Sequence, residues 1–163
     1  MKLLRSELKS EFNKKFFDMS ARGLPDRGTN FYDDHITCEL SAKIVQFGFQ
    51  LSGFIKTIAS YQCVRCLCYN PKKLVLPIKL WLSFKKISTE NYYQDMVHFP
   101  KNIDHVDLSD TISDIIHLAE PMNPNCNDNC KGLCHNCGIN LNQSICDCKL
   151  NNHDSPWDVL KQF

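Results

Sequence analysis

Leu74-Val-Leu-Pro-Ile-Lys-Leu-Trp-Leu-Ser-Phe84 alternates without error: Leu74, Leu76, Ile78, Leu80, Leu82 and Phe84 share one parity. Successive side chains of a strand point to opposite faces, so this stretch is the clearest strand of the chain, with one face turned to a core. Pro77 cannot donate to a ladder and predicts an edge position or a local break. Working back, Asn70-Pro-Lys-Lys73 reads as a turn, and Phe54 to Gln62 as a strand running into Cys63. Further back, from Ile36, Cys38, Leu40, Ala42 and Ile44 share one parity, and Val45, Phe47, Phe49 and Leu51 the other. That flip predicts a bulge or sharp bend near Ile44-Val45.

Outside this block the pattern changes. Leu4, Leu8, Phe12, Phe16 and Met19 fall near one stripe and predict a helix over Leu3 to Met19, ended by Gly23 to Gly28 with Pro25. Ser88 to Asp107 is polar and weakly patterned and reads as a loop. Ser109 is a good N-cap, with Asp110 near the positive helix end. Ile112, Ile115, Ile116 and Ala119 form the stripe of a short helix, stopped by Pro121 and Pro124. Ser155-Pro-Trp157-Asp-Val-Leu160 reads as a capped helical turn. The expectation is one α+β domain. Residues 1–30 form an N-terminal helical segment, 36–120 a sheet plus helix, and 121–163 a cysteine-rich tail stapled by zinc. The sheet is expected to be small, mostly antiparallel and curled toward a barrel, with short flanking helices.

A chain of 163 residues, 43% hydrophobic, can bury a core without disulfides. It has no apolar run long enough to span a bilayer, and its charged start has no signal core. Both point to a reducing compartment, the bacterial cytoplasm or a plastid stroma, where ten cysteines read as metal ligands rather than cross-links.

Eight of them have ligand spacing: Cys63-Val-Arg-Cys66, Cys126-x3-Cys130, Cys134-His-Asn-Cys137 and Cys146-Asp-Cys148. A Cys-x2-Cys clip lets two thiolates reach one ion from a tight turn, and two more complete a tetrahedral zinc shell. Gly138, just after the second clip, can take positive φ and turn N–H groups toward the sulfurs; Leu67 stands in its place after the first. The expected partition is a zinc ribbon, with Cys63, Cys66, Cys134 and Cys137 on one ion and Cys126, Cys130, Cys146 and Cys148 on a second. The rival is a site wholly within the tail, leaving Cys63 and Cys66 without metal, so one or two structural Zn2+ are expected. Reduced thiols, a redox dithiol at Cys63 and Cys66, and an iron–sulfur cluster fit less well. The surroundings are Asn, Asp, Lys and Gly, no thioredoxin-like βαβ pattern is present, and the spacings are not those of ferredoxins. Cys38 and Cys68 read as plain buried thiols. His135 is expected to face solvent, and His153 is a minor candidate ligand.

Charge is uneven although the net is only +1: Leu40 to Thr89 holds eight Lys or Arg and no acid, and Glu90 to Glu120 seven acids and one Lys. Two filled four-thiolate sites would take the formal charge to about −3, against a uniformly cationic sleeve. There is no P-loop, dinucleotide fingerprint, nucleophile elbow or zinc-protease helix, and a zinc saturated by four thiolates leaves no position for water. No enzyme activity and no small-molecule substrate are expected.

Taken in order, several runs resemble the YceD-like family, the large ribosomal RNA subunit accumulation proteins, from about Ile36 to the end. They are Cys63-Val-Arg-Cys66-Leu67, Val106-Asp-Leu, Leu118-Ala-Glu-Pro-Met122, Cys130-Lys-Gly-Leu-Cys134-His-Asn-Cys137-Gly-Ile-Asn-Leu-Asn142, Cys146-Asp-Cys148 and Pro156-Trp157-Asp-Val-Leu160-Lys161. His135 stands where a proline is usual, and the arginine usual between the last proline and tryptophan is missing. The resemblance implies a non-enzymatic factor for accumulation or processing of large-subunit (23S-type) ribosomal RNA, in bacteria and plastids. Family members with and without the tail cysteines occur, so metal is not the whole function. The basic candidates for RNA contact are Lys43, Lys56, Arg65, Lys72, Lys73, Lys79, Lys85 and Lys86, meeting phosphate on the large-subunit rRNA or a pre-ribosomal particle. The alternative is a zinc-stabilised adaptor whose acidic connector, Asp95 to Glu120, docks a ribosomal protein or processing enzyme.

Overall fold

A computed structural model describes residues 1–85 and 96–148. The elements are β1 (Lys2–Leu4), α1 (Arg5–Lys9), β2 (Phe12–Ser20), β3 (His35–Val45), β4 (Gly48–Gln62), β5 (Tyr69–Ser83), β6 (Met96–His98), β7 (His105–Asp107) and α2 (Ser109–Leu118). The main sheet has the order β2-β3-β4-β5-β6, antiparallel except for the short parallel β5–β6 pair, and β1 pairs separately with β7. The α+β class stands, but the sheet is open: its outer strands β2 and β6 do not pair with each other, so it is no closed barrel.

The parity flip at Ile44-Val45 is a hairpin turn, not a bulge: β3 pairs with β4 in unbroken register from Thr37↔Lys56 to Val45↔Gly48. The chain reverses there, and the inward set is re-phased by the turn. The β4–β5 hairpin is longer, running from Gly48↔Ser83 to Gln62↔Tyr69 without a slip. Pro77 lies where β5 has β4 on one side and, among the described residues, no strand on the other, since β6 reaches only Trp81 to Ser83. Its missing N–H is tolerated at that open edge.

The inner face buries Leu40, Ala42, Leu51, Ile55, Ala59, Leu74, Ile78, Leu80 and Leu82, joined by Ile112 and Ile116 of α2 in one core. The helix expected over Leu3 to Met19 is instead β1, one turn of α1, and β2. Glu11 and Lys14 have φ of 44° and 51°, which no helix accommodates. Beyond them Phe17 and Met19 pair with Cys38 and Ile36 on the inner face while Phe16 stays exposed, so period two replaces the helical stripe. Ser109 does not cap α2; it is its first residue. The Asp107 carboxylate does the capping, accepting the Ser109 N–H at 2.9 Å and its hydroxyl at 2.7 Å. The loop read from Ser88 to Asp107 contains β6 and β7. Lys86, Asp95, His153 and the Ser155 to Leu160 turn lie outside the described residues. Among the described residues no helix is long and apolar enough to cross a membrane.

Candidate metal centres and basic face

The turn joining β4 to β5 is the first Cys clip. Cys63 N donates to the Cys68 carbonyl at 2.9 Å, and Leu67 N donates to the Cys63 carbonyl at 2.9 Å. The second clip repeats this: Cys134 N donates to Ile139 and Gly138 N to Cys134, both at 2.8 Å. The two clips are therefore the same knuckle. Leu67 takes a φ of 58° where Gly138 takes 74°, so the leucine adopts the left-handed position that glycine fills more easily.

Both knuckles gather four sulfurs, but in a different partition from the expected one. Cys63, Cys66, Cys126 and Cys130 form one group, and Cys134, Cys137, Cys146 and Cys148 the other, each with its sulfurs within 4.8 Å of one another. The ribbon, with two knuckles facing across one ion, is not formed; the second group does lie wholly within the tail, as in the rival reading, but Cys63 and Cys66 are not left out, since they join Cys126 and Cys130. The cause is the path of the tail. Leu133 N donates to the Arg65 carbonyl at 3.1 Å, and the Arg65 guanidinium donates to the Cys130 carbonyl at 3.2 Å. This lays the tail against the first clip and brings Cys130 onto it, with Cys134 already past. Val64 N donates to the Pro124 carbonyl at 2.9 Å and brings in Cys126 from the other side.

The spacing suits a tetrahedral ion. Zinc–sulfur bonds of about 2.3 Å give a tetrahedron with an edge of about 3.8 Å. Cys63 and Cys130 lie 3.8 Å apart and Cys66 and Cys126 3.7 Å. In the second group Cys146 lies 3.4 Å from both Cys134 and Cys137. All ten cysteines are free thiols. The first group is buried apart from the half-buried Cys126, whereas Cys137 and Cys148 of the second are exposed.

The electrostatics call for a cation. Backbone N–H groups of Cys66 and Arg65 hold the Cys63 thiol down to about 6 against its burial. Those of Cys137 and Asn136 hold Cys134 down to about 6. The N–H groups of Cys68 and Cys148 act likewise on Cys66 and Cys146, but crowding sulfurs and burial push both up to about 12. Four thiolates this close repel one another, and a dication removes that conflict. Amide donors support the sulfurs: Arg65 N reaches Cys63 Sγ at 3.4 Å and Asn142 Nδ2 reaches Cys130 Sγ at 3.3 Å. Asn140 Nδ2 meets Cys68 Sγ at 3.2 Å, and its Oδ1 accepts from Asn142 Nδ2. Sequence reasoning gave these two asparagines no role. The available signal was their spacing, Asn-Leu-Asn, a turn signature: Asn140 Oδ1 accepts the Asn142 N–H at 3.0 Å, which brings the two carboxamides together. Cys38 is buried, and burial pushes it up to about 11; Cys68 is half-buried against the first group. His135 is exposed.

The basic candidates divide. Lys43, Lys56, Lys73 and Lys79 stand on the outer sheet face, opposite Gln50, Val75, Ile58 and Ser52. The same face carries exposed Phe16 and Phe54, and Trp81 opposite Gln50. Lys56 Nζ lies 5.9 Å from the Phe16 ring centre, and Lys79 Nζ 5.9 Å from that of Trp81. Glu39 also lies there and holds Lys56 at 2.9 Å. Arg65 is engaged in the first clip, Lys72 has the inner-face parity, and Lys85 lies beyond β5 over Phe47. In the acidic connector, Arg27 bonds Asp114 at 2.7 Å and Asp110 at 3.2 Å, drawing charge out of that surface.

A family model described as "Large ribosomal RNA subunit accumulation protein YceD" matches residues 51–163. The chain is 26% identical over 157 residues to the chloroplastic "Large ribosomal RNA subunit accumulation protein YCED homolog 1" of Arabidopsis thaliana, covering 79% of this chain and 49% of that protein. To the protein of the same description from Zea mays it is 30% identical over 131 residues, covering 63% of this chain and 45% of the relative. The chain thus spans about half the length of these curated relatives. No solved structure matches.

Proposed function

This chain belongs to the YceD family, and we propose that it is a non-enzymatic factor supporting accumulation or processing of large-subunit (23S-type) ribosomal RNA, held in shape by two structural zinc ions. Residues fit the metal: each group supplies four sulfurs within 4.8 Å, the number that saturates zinc. A saturated ion offers no site for water, so its role is to fasten the tail to the β4–β5 hairpin. The chloroplastic relatives favour the plastid as the place of action. The partner is the large-subunit rRNA within a pre-ribosomal particle.

One observation carries the RNA reading. The outer sheet face interleaves Lys43, Lys56, Lys73 and Lys79, all from the acid-free stretch Leu40 to Thr89, with Phe16, Phe54 and Trp81, and Glu39 of β3 pairs with Lys56 there. Lysines meet phosphate without reading sequence, and aromatic rings on a sheet stack unpaired bases. Four phosphate contacts on a single strand give a slope of log K against log salt of about −3. Fluorescence anisotropy of an unstructured RNA, titrated at several KCl concentrations, measures it. A Lys73→Gln/Lys79→Gln double variant halves the slope, to about −1.5. A salt-independent affinity of the unaltered protein overturns the RNA reading.

A further inference from the structure

Beside the first cysteine group lies a cleft of about 510 Å3, between the start of β5 and residues 121–128. Tyr61 of β4 lines it and is only 5% exposed. Its hydroxyl is buried and, among the described residues, has no hydrogen-bond partner. A buried phenol without a partner is uncommon and points to a ligand atom in that position. The other polar lining is mostly carboxamide, from Asn70, Asn123, Asn125 and Asn127, with Lys72 the one cation and Asp128 the one acid, an acceptor for base N–H groups. Carboxamides present a donor and an acceptor side by side, which matches the edge of a nucleobase. Pro71, Pro121 and Pro124 add apolar walls. The volume falls in the range of small-ligand sites.

We propose that this cleft receives one nucleotide splayed out of the bound RNA, its base edge against the asparagine carboxamides and the Tyr61 hydroxyl, its phosphate on Lys72. The proposal rests on the RNA reading above and names the chemistry of a second contact. Lys72 and Lys73 are neighbours on β5 and point to opposite sheet faces. They do so where that strand has an open edge among the described residues. A strand of RNA crossing that edge meets a cation on each side.

The test uses the full chain, loaded with zinc, and a short unstructured RNA carrying 4-thiouridine. Tyr61→Phe keeps the ring and removes one hydrogen bond. It weakens RNA binding about threefold to tenfold with the salt slope unchanged. Cross-links fall on residues 121–128 as well as on the outer face, and each mononucleotide shifts the amide resonances of Asn123 and Asn125. A thermal midpoint equal to that of the unaltered protein shows that the variant is folded. If RNA binding keeps its salt slope while Tyr61→Phe and Lys72→Gln leave affinity unchanged and cross-links spare the cleft, this proposal is overturned and the RNA reading stands. A flat salt response removes both.

Discussion

The sulfur partition makes a prediction that paired substitutions can decide. Cys66 and Cys126 sit on one group, Cys66 and Cys137 on different ones. A Cys66→Ser/Cys126→Ser protein should therefore keep one zinc, and a Cys66→Ser/Cys137→Ser protein none. The ribbon partition inverts both expectations. The stabilities should also differ. The first group bridges positions 60 and 67 residues apart, Cys66 to Cys126 and Cys63 to Cys130. Cys137 to Cys146 and Cys134 to Cys146 are only 9 and 12 residues apart. Treating each centre as one cross-link, loop closure gives about 4 kcal/mol for the first and about 3 kcal/mol for the second. For a chain of this size each kcal/mol moves the thermal midpoint by about 2–4 °C, so loss of the first centre lowers it by about 8–16 °C. The second centre closes a loop within the tail, so its loss opens that loop locally and moves the global midpoint less. Native mass spectrometry gives the zinc count, and calorimetry with hydrogen exchange the rest. Retention of one zinc by the Cys66/Cys137 pair would refute the geometry, and equal midpoints for the two single-centre losses would refute the loop argument.

Two further predictions concern the scaffold. A Cβ at Gly53 would sit 1.9 Å from the Glu39 carbonyl oxygen of β3, a backbone atom that cannot step aside. Gly53→Ala should cost about 3 kcal/mol or more, read from urea unfolding; a loss under about 1 kcal/mol would show that the two strands separate freely there. Asp107 is held down to about 2 by the Ser109 hydroxyl and N–H at the start of α2. Its contribution, about 1 kcal/mol as for other caps, is fully present above the usual carboxylate range near 4 and lost as pH falls toward 2. The stability gap between the unaltered protein and Asp107→Asn should thus be constant from pH 5 to 7 and shrink below 4. A gap that persists at pH 2 would contradict the capping role.

What was legible in the sequence follows physical lines. Period two over Leu74 to Phe84 needs only a two-sided environment, and β5 has one. A parity flip means that the chain re-phases, but bulge and hairpin re-phase it alike, and only pairing tells them apart. The N-terminal stripe misled because leucines and phenylalanines four apart satisfy a helix on paper, while left-handed residues at Glu11 and Lys14 break it into separate elements. Ligand spacing marked all eight clustered cysteines, since the clips and short spacings are local chemistry. Their partition was illegible because it depends on where Leu133 lands relative to Arg65, 68 residues earlier in the chain, a non-local pairing with no local sequence signal.

That same pairing links the first sulfur group to the cleft. The wall of the Tyr61 cleft is residues 121–128, and Cys126 belongs both to that wall and to the first sulfur group. The outer sheet face, by contrast, is fixed by β3, β4 and β5 through strand registers that need no cysteine. A chain without its first centre should therefore keep its lysine face and lose the wall of the cleft that Cys126 fastens. On the RNA reading proposed above, loss of the first metal would therefore remove the contact in the cleft and leave the electrostatic one on the sheet in place.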